Sequence, residues 1–342
     1  MVTKRFFGKT QDGREVNEYI LDDGSIRAHV LDYGGIINKI FVPDNTGKLV
    51  DVVLGYDDVR SYEINGGYLG AFIGRFGNRI KNSRFTVNGI EYKIESNEGT
   101  TCLHGGKVGF DKKSYGVEMG ENSITLTGFS PDGEQGFPGN LNVKVTYEVQ
   151  NGALHIFYEA VSDKDTAVNL TNHAYFNLSH ENTALNHLLT INSDYITPVD
   201  SALITSGEFM AVENTPFDFR KPQKVGQYID YPHKQIEYGG GYDHNFVLKN
   251  YGKYEHVATL FAEDSGIEMQ VLTDAFGVQF YAGNFLANEI GKSGRIHQKR
   301  SALCLETQNF PNSINLPSFP NAVLKAGDIY RTRTTYKFST VK

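Results

Sequence analysis

One carboxylate in this chain stands where a carboxylate is costly. Glu306 follows the apolar run Ala302-Leu303-Cys304-Leu305 and precedes Thr307-Gln308-Asn309-Phe310-Pro311. A buried Glu is rare unless it is paired or functional, and withdrawal from water raises its pKa toward the range of a general base. Four further stretches depart from ordinary strand packing. Asn169-Leu170-Thr171-Asn172-His173-Ala174-Tyr175-Phe176-Asn177-Leu178 sets His173 among three asparagines, a residue type disfavoured in strands. Leu103-His104-Gly105-Gly106 follows an imidazole with two residues that permit close approach. Gly74-Arg75-Phe76-Gly77-Asn78-Arg79-Ile80 carries two arginines four apart, suited to bidentate recognition of vicinal oxygens or a carboxylate. Gly239-Gly240-Gly241-Tyr242-Asp243-His244 puts a glycine triplet before an Asp-His pair. Each of these four also has a plain structural reading, as a solvated Arg pair, a structural His or a loop.

Together the five stretches supply two histidines, an arginine, an aspartate and a sequestered glutamate among aromatics. Asp, Asn and Arg bind vicinal hydroxyls, and a Phe or Tyr ring covers the C–H face of a sugar. A His–Glu pair suits the movement of two protons between oxygens at neutral pH, because imidazole titrates near 6.5. Glu306 with Asp243 also admits a glycosidase, which needs two carboxylates flanking the bond. The chain has no H-E-x-x-H or C-x-x-C spacing and no G-x-S-x-G elbow, so metal and Ser-nucleophile chemistry are not expected. The glycine triplet lacks the Lys-Ser/Thr of a phosphate loop, so no nucleotide cofactor is expected either.

The elements that must position these groups read as strands. Leu141, Val143, Val145, Tyr147 and Val149 alternate up to Asn151-Gly152, and Leu154, Ile156, Tyr158 and Ala160 resume after it. Asn-Gly between alternating runs marks a two-residue hairpin. Asn88-Gly89 and Asp264-Ser265-Gly266 predict two more. From Tyr330 to Phe338, alternate residues are aromatic or Thr while Arg331, Arg333 and Lys337 face the other way, as in a strand with one wet face. A short helix is expected over 222–230, with Pro222 in its first turn. The chain holds 36 glycines in 342 residues, above the usual ~7%, with only 10 prolines, a composition of strands and tight turns. No linker or repeat divides it. One all-β domain over residues 1–342 is therefore expected, a large antiparallel β-sandwich with few short helices.

With Lys+Arg 33 against Asp+Glu 40, the net charge of −7 argues against a nucleic-acid or anionic-membrane partner. Cys102 and Cys304 lie among apolar or β-branched neighbours and make no disulfide framework. The N-terminus lacks the apolar stretch of a signal peptide, and no run reaches the ~18 residues of a membrane span, so a cytoplasmic protein is expected.

In this order the stretches resemble the aldose 1-epimerase (galactose mutarotase) family, from Gly34-Gly35 to the C-terminal strand. The resemblance is carried by Gly-Arg-x-x-Asn-Arg-Ile at 74–80, Leu-His-Gly-Gly at 103–106, and Ser130-Pro131-Asp132-Gly133-Glu134-Gln135-Gly136-Phe137-Pro138-Gly139. Leu-Thr-Asn-His-Ala-Tyr-Phe-Asn-Leu at 170–178, Tyr-Asp-His-Asn-Phe at 242–246, the segment Gly277 to Phe285 and Leu-Glu-Thr-Gln-Asn-Phe-Pro at 305–311 complete it. The resemblance implies a supersandwich that holds a free hexose such as galactose or glucose and needs no cofactor. It makes Glu306 the general base on the C1 hydroxyl and His173 the general acid on the ring oxygen. It puts His104 near the ring oxygen, and Asn78, Arg79, Asp243 and Gln279 at sugar-binding positions. Tyr281 and Phe285 are candidates for stacking on the sugar. Phe76-Gly77 stands where many members carry Val-Ala, so a change of subsite shape is expected near residue 76. Two rivals remain at this point: a relative acting on hexose 6-phosphates, for which Arg75 with Arg79 is the available basic pair, and a non-catalytic sugar-binding sandwich.

Overall fold

The computed structural model describes residues 1–64 and 66–341. The alternating runs pair as their periodicity requires. Leu141–Gln150 and Ala153–Ser162 join through Asn151 (φ 54°) and Gly152 (φ 71°), the two left-handed residues of the predicted turn. The hairpins at Asn88-Gly89 and Asp264-Ser265-Gly266 form as well.

The hairpin at Asn88-Gly89 stands as a two-stranded sheet of its own, while the other two belong to a nine-stranded antiparallel sheet. Its order is Gly116–Met119, Ser123–Ser130, Leu141–Gln150, Ala153–Ser162, Ile329–Thr340, Ile267–Thr273, Glu255–Phe261, Leu188–Ile191 and Gln223–Lys224. A six-stranded sheet runs Tyr175–Phe176, Leu303–Gln308, Gly277–Tyr281, Asp243–Leu248, Ser193–Thr197, Met210–Ala211. A separate five-stranded sheet is formed by residues 2–51. The inner faces of the two large sheets meet: the Tyr336 hydroxyl donates to the Leu305 carbonyl at 3.1 Å, and its ring lies 4.8 Å from Phe176. One hydrophobic cluster extends from Val2 to Phe338 and draws on all three sheets. Arg331, Arg333 and Lys337 are exposed on the last strand, as the alternation predicts.

Among the described residues, helix is confined to Val59–Glu63, Lys234–Gly239 and a few single 3₁₀ turns. The helix expected over 222–230 does not form. Gln223–Lys224 instead adds to the edge of the large sheet, and only Val225–Gln227 turns as 3₁₀. An edge pairing and a buried Val225 satisfy this segment better than an isolated helical turn. No helix among the described residues is long and apolar enough to cross a membrane.

Two of the sequence motifs lock to each other across the fold. Arg75 is buried, and its guanidinium donates to Ser130 Oγ (2.8 Å) and to the carbonyls of Pro138 (2.9 Å), Ser130 (2.8 Å) and Pro131 (2.9 Å). The Gly-Arg stretch thus braces the Ser130–Gly139 turn from within, and burial lowers the pKa of this guanidinium to about 10. Replacing Arg75 by Met would strand three carbonyls away from water. The expected loss is ~3 kcal/mol or more of folding free energy, read from the denaturant midpoint. Lys, with one point-like head, should recover only part of it.

Candidate active site

The six-stranded sheet decides which way the key carboxylates point. In the strand 303–308, Leu303 and Leu305 enter the core, so Cys304, Glu306 and Gln308 take the opposite face. Glu306 lies directly across from Gln279, Gln279 from Asn245, and Tyr281 from Asp243. One sheet face therefore presents Glu306, Gln279 and Asp243 together, while Phe246, Val278 and Phe280 pack behind them. On this face Gln279 Nε2 donates to Asp243 Oδ1 at 2.7 Å, and Gln308 Nε2 reaches Gln279 Oε1 at 3.3 Å.

His173 arrives from a different segment. Its N–H donates to the Ala71 carbonyl (2.9 Å), and its carbonyl accepts from Gly70 N–H (3.0 Å). The imidazole stacks on Tyr175 at 5.1 Å, with Nε2 3.6 Å from Glu306 Oε1 and Nδ1 3.5 Å from Cys304 Sγ. The three asparagines that look misplaced in this stretch are backbone staples. Asn169 bonds Gly77 and Asn309, Asn172 bonds Gly70, and Asn177 bonds Ser301 and Glu181.

His104 and Asn78 hold each other through main chain and ring. Asn78 N–H donates to His104 Nδ1 (3.1 Å), and His104 N–H donates to the Asn78 carbonyl (3.2 Å). Both residues sit at positive φ, 52° and 65°, a costly conformation that the surrounding bonds fix. All seven predicted site residues line one cavity of about 410 Å³: Asn78, Arg79, His104, His173, Asp243, Gln279 and Glu306.

Four expectations change. Arg75 is absent from this cavity because its donors are spent on the 130–139 turn. Phe76 is fully buried with Phe85 and Phe137, so that departure from the family alters core packing and not the cavity wall. The glycines of the Leu-His-Gly-Gly motif make room for backbone, since a Cβ on Gly105 would overlap the Gly74 carbonyl oxygen. The glycine triplet ends the helix 234–239, with Gly240 at φ 63° and the Gly241 N–H bonded to the Ile236 carbonyl. Of the two stacking candidates, Tyr281 is buried and Phe285 is 63% exposed at the cavity wall.

The wall also includes residues the sequence reading missed, among them Tyr68 and Glu98. Glu98 binds Arg79 bidentately, Oε2 to Nε at 2.6 Å and Oε1 to Nη2 at 2.8 Å. The available signal was its place on the loop that delivers His104, six residues upstream.

The chain as a whole is similar to known proteins. A family model described as aldose 1-epimerase matches residues 17–337. The galactose mutarotase of Sus scrofa is 40% identical over 99% of this chain and 98% of its own. The aldose 1-epimerase of Escherichia coli (strain K12) is 34% identical over 90% of this chain and 91% of its own. A crystal structure of galactose 1-epimerase from Lactobacillus acidophilus NCFM superposes with a TM-score of 0.87 at 27% identity, covering 100% of both chains.

The electrostatics follow from burial with one guanidinium present. Burial, and then the neighbouring Asp243, push the Glu306 carboxyl well above its ordinary value, while Arg79 pulls it down. Burial lowers His173 to about 4 and, with His173 and Arg79 nearby, holds His104 well below its ordinary value. Burial opposes the charge on Arg79, yet Glu98, Asp243 and Glu306 raise its pKa on balance. Atoms of His104, His173 and Glu306 lie within 4.8 Å of one another, the spacing of a three-ligand metal set. The ring of His104 does not fit that role. Its Nδ1 accepts the Asn78 N–H, so the neutral ring carries its proton on Nε2 and turns a donor, not a lone pair, toward the cavity. Imidazole ¹⁵N spectra should accordingly show His104 as the uncharged Nε2–H tautomer at neutral pH. A charged ring, or an Nδ1–H tautomer, would contradict this arrangement.

Proposed function

The chain belongs to the aldose 1-epimerase family, a carbohydrate epimerase, and on that premise we propose that Glu306 and His173 interconvert the α and β anomers of free hexoses such as galactose and glucose. The observation that carries the assignment of roles is the Glu306 carboxyl itself. It is buried, its Oε2 has no hydrogen-bond partner, and its Oε1 faces His173 Nε2 across 3.6 Å on the wall of the cavity.

Glu306 accepts the proton of the C1 hydroxyl as the bond from C1 to the ring oxygen breaks. His173 gives a proton to that oxygen, leaving an open-chain aldehyde. Rotation about C1–C2 presents the other face of the carbonyl. Reclosure returns the ring-oxygen proton to His173 and the Glu306 proton to the new C1 hydroxyl, so protons balance and no oxidant or cofactor enters. His104 Nε2–H is the donor for an oxygen near the ring-oxygen and anomeric positions. Asp243, fixed by Gln279, and Asn78 with Arg79 bind the remaining hydroxyls. The work is done by one domain over residues 1–342. A cytoplasmic setting accords with two buried, unpaired cysteines.

The hexose 6-phosphate reading loses its basic pair once Arg75 is committed to backbone carbonyls. A sugar-binding module without catalysis gives no reason for a buried carboxylate facing an imidazole.

Polarimetry on freshly dissolved α-galactose tests the reaction: the protein should speed the change in optical rotation, and a rate equal to buffer overturns the reading. Glu306→Gln and His173→Asn should each slow it at least ~100-fold with the far-ultraviolet circular dichroism unchanged. The pair must hold one proton in total; the opposed shifts rest it on Glu306, and the reactive form is the one in which that proton sits on His173, 3.6 Å away. As pH falls toward about 4, the pKa of His173, a second proton binds and Glu306 can no longer accept. As pH rises past the elevated pKa of Glu306, the shared proton is lost and no acid remains. The pH profile of kcat/KM should therefore be a bell with its acid limb near pH 4; a rate that fails to fall as the pH drops below that limb would contradict the assignment.

A further inference from the structure

The cavity contains one cationic side chain among its described lining residues, and that side chain is already engaged. Arg79 shares the cavity lining with four carboxyl groups, Glu98, Asp243, Glu289 and Glu306, and the first, second and last of these act on its charge. Two of its three guanidinium nitrogens are committed to Glu98, in the fork-to-carboxylate geometry that fixes an Arg most firmly. The side chain of Arg79 is 10% exposed and that of Glu98 is 41% exposed, so the carboxylate stands on the solvent side of the pair. The backbone of Glu98 is pinned by reciprocal bonds with Thr101, and its neighbour Asn97 is clamped to Leu103 and Gly106. Glu98 is thus held in place by the loop that also carries His104.

We propose that Glu98 is a specificity-determining residue: by occupying Arg79 and facing solvent with its own charge, it makes the cavity select uncharged sugars and reject sugar phosphates and other anionic sugars. An anionic substituent that approaches Arg79 meets a carboxylate first, and like charges brought together at a binding surface are strongly discriminated against. The other arginine near a motif, Arg75, cannot substitute, because its donors lie on the carbonyls of the 130–139 turn. The inference rests on the mutarotase reading for the identity of the ligand as a sugar.

The test is calorimetric titration of the folded protein with galactose and with galactose 6-phosphate, which reads binding whether or not turnover occurs. The wild type should bind galactose and discriminate against the 6-phosphate. Glu98→Gln removes the charge and frees the guanidinium, so the ratio of the two dissociation constants should fall at least ~10-fold, with galactose itself bound more weakly. Glu98→Asp keeps the charge and should keep the discrimination. A ratio unchanged in Glu98→Gln, or a wild type that binds the two ligands equally, overturns the proposal. If Glu98→Gln does not fold, the wild-type ratio and the Glu98→Asp ratio decide it. Failure of the wild type to accelerate mutarotation, with binding ratios as expected, would instead overturn the catalytic reading alone.

Discussion

A carboxylate buried beside an imidazole is expensive to maintain, and the antiparallel register of the six-stranded sheet is what maintains it here. Leu303 and Leu305 anchor their strand in the core, which obliges Glu306 to face the cavity. Pairing with Gln279 and, one strand further, the row from Tyr281 to Asp243 then sets the lateral spacing of the polar groups. A slip of one residue would send Glu306 into the hydrocarbon and a leucine into the cavity, so hydrophobic burial and the geometry of the cavity wall are fixed by one register. The same strand brings Cys304 against His173, so His173 and Glu306 are positioned through a shared element.

Charge in the cavity is balanced around a single guanidinium. Arg79 draws Glu306 toward the carboxylate, while Asp243 and burial push it toward the protonated form. Burial is the largest of these influences, so on balance the carboxyl stands well above its ordinary value. His104 adds no charge to this balance, because its ring is held neutral with its donor toward the cavity.

Much of the polar sequence serves to hold loops rather than to touch a ligand. Asn169, Asn172 and Asn177 each bond main-chain groups of other segments, and Arg75 binds the turn that begins at Ser130. Irregular backbone at a binding site has few ladder partners of its own, so side-chain amides and one guanidinium take that part. These positions resemble functional residues in the sequence because both kinds of work demand polar groups inside a protein.

Strand periodicity, the Asn-Gly turns and the scarcity of helical patterns were enough to determine an antiparallel β architecture, because side-chain alternation and the φ requirements of tight turns are local properties. The burial of Glu306 was legible for a similar reason: an acid next to an apolar run implies enforced burial. The motifs then carried His173, His104, Asn78, Arg79, Asp243 and Gln279. The separate N-terminal sheet, the edge strand at 223–224 and the pairing of Glu98 with Arg79 depend on segments brought together from afar. So does the difference between Arg75 and Arg79, two arginines of one motif, of which one braces a turn and the other enters the cavity. Residue type limits what a side chain can do; only the folded neighbourhood, through burial and the partners within hydrogen-bond reach, decides which of those things it does.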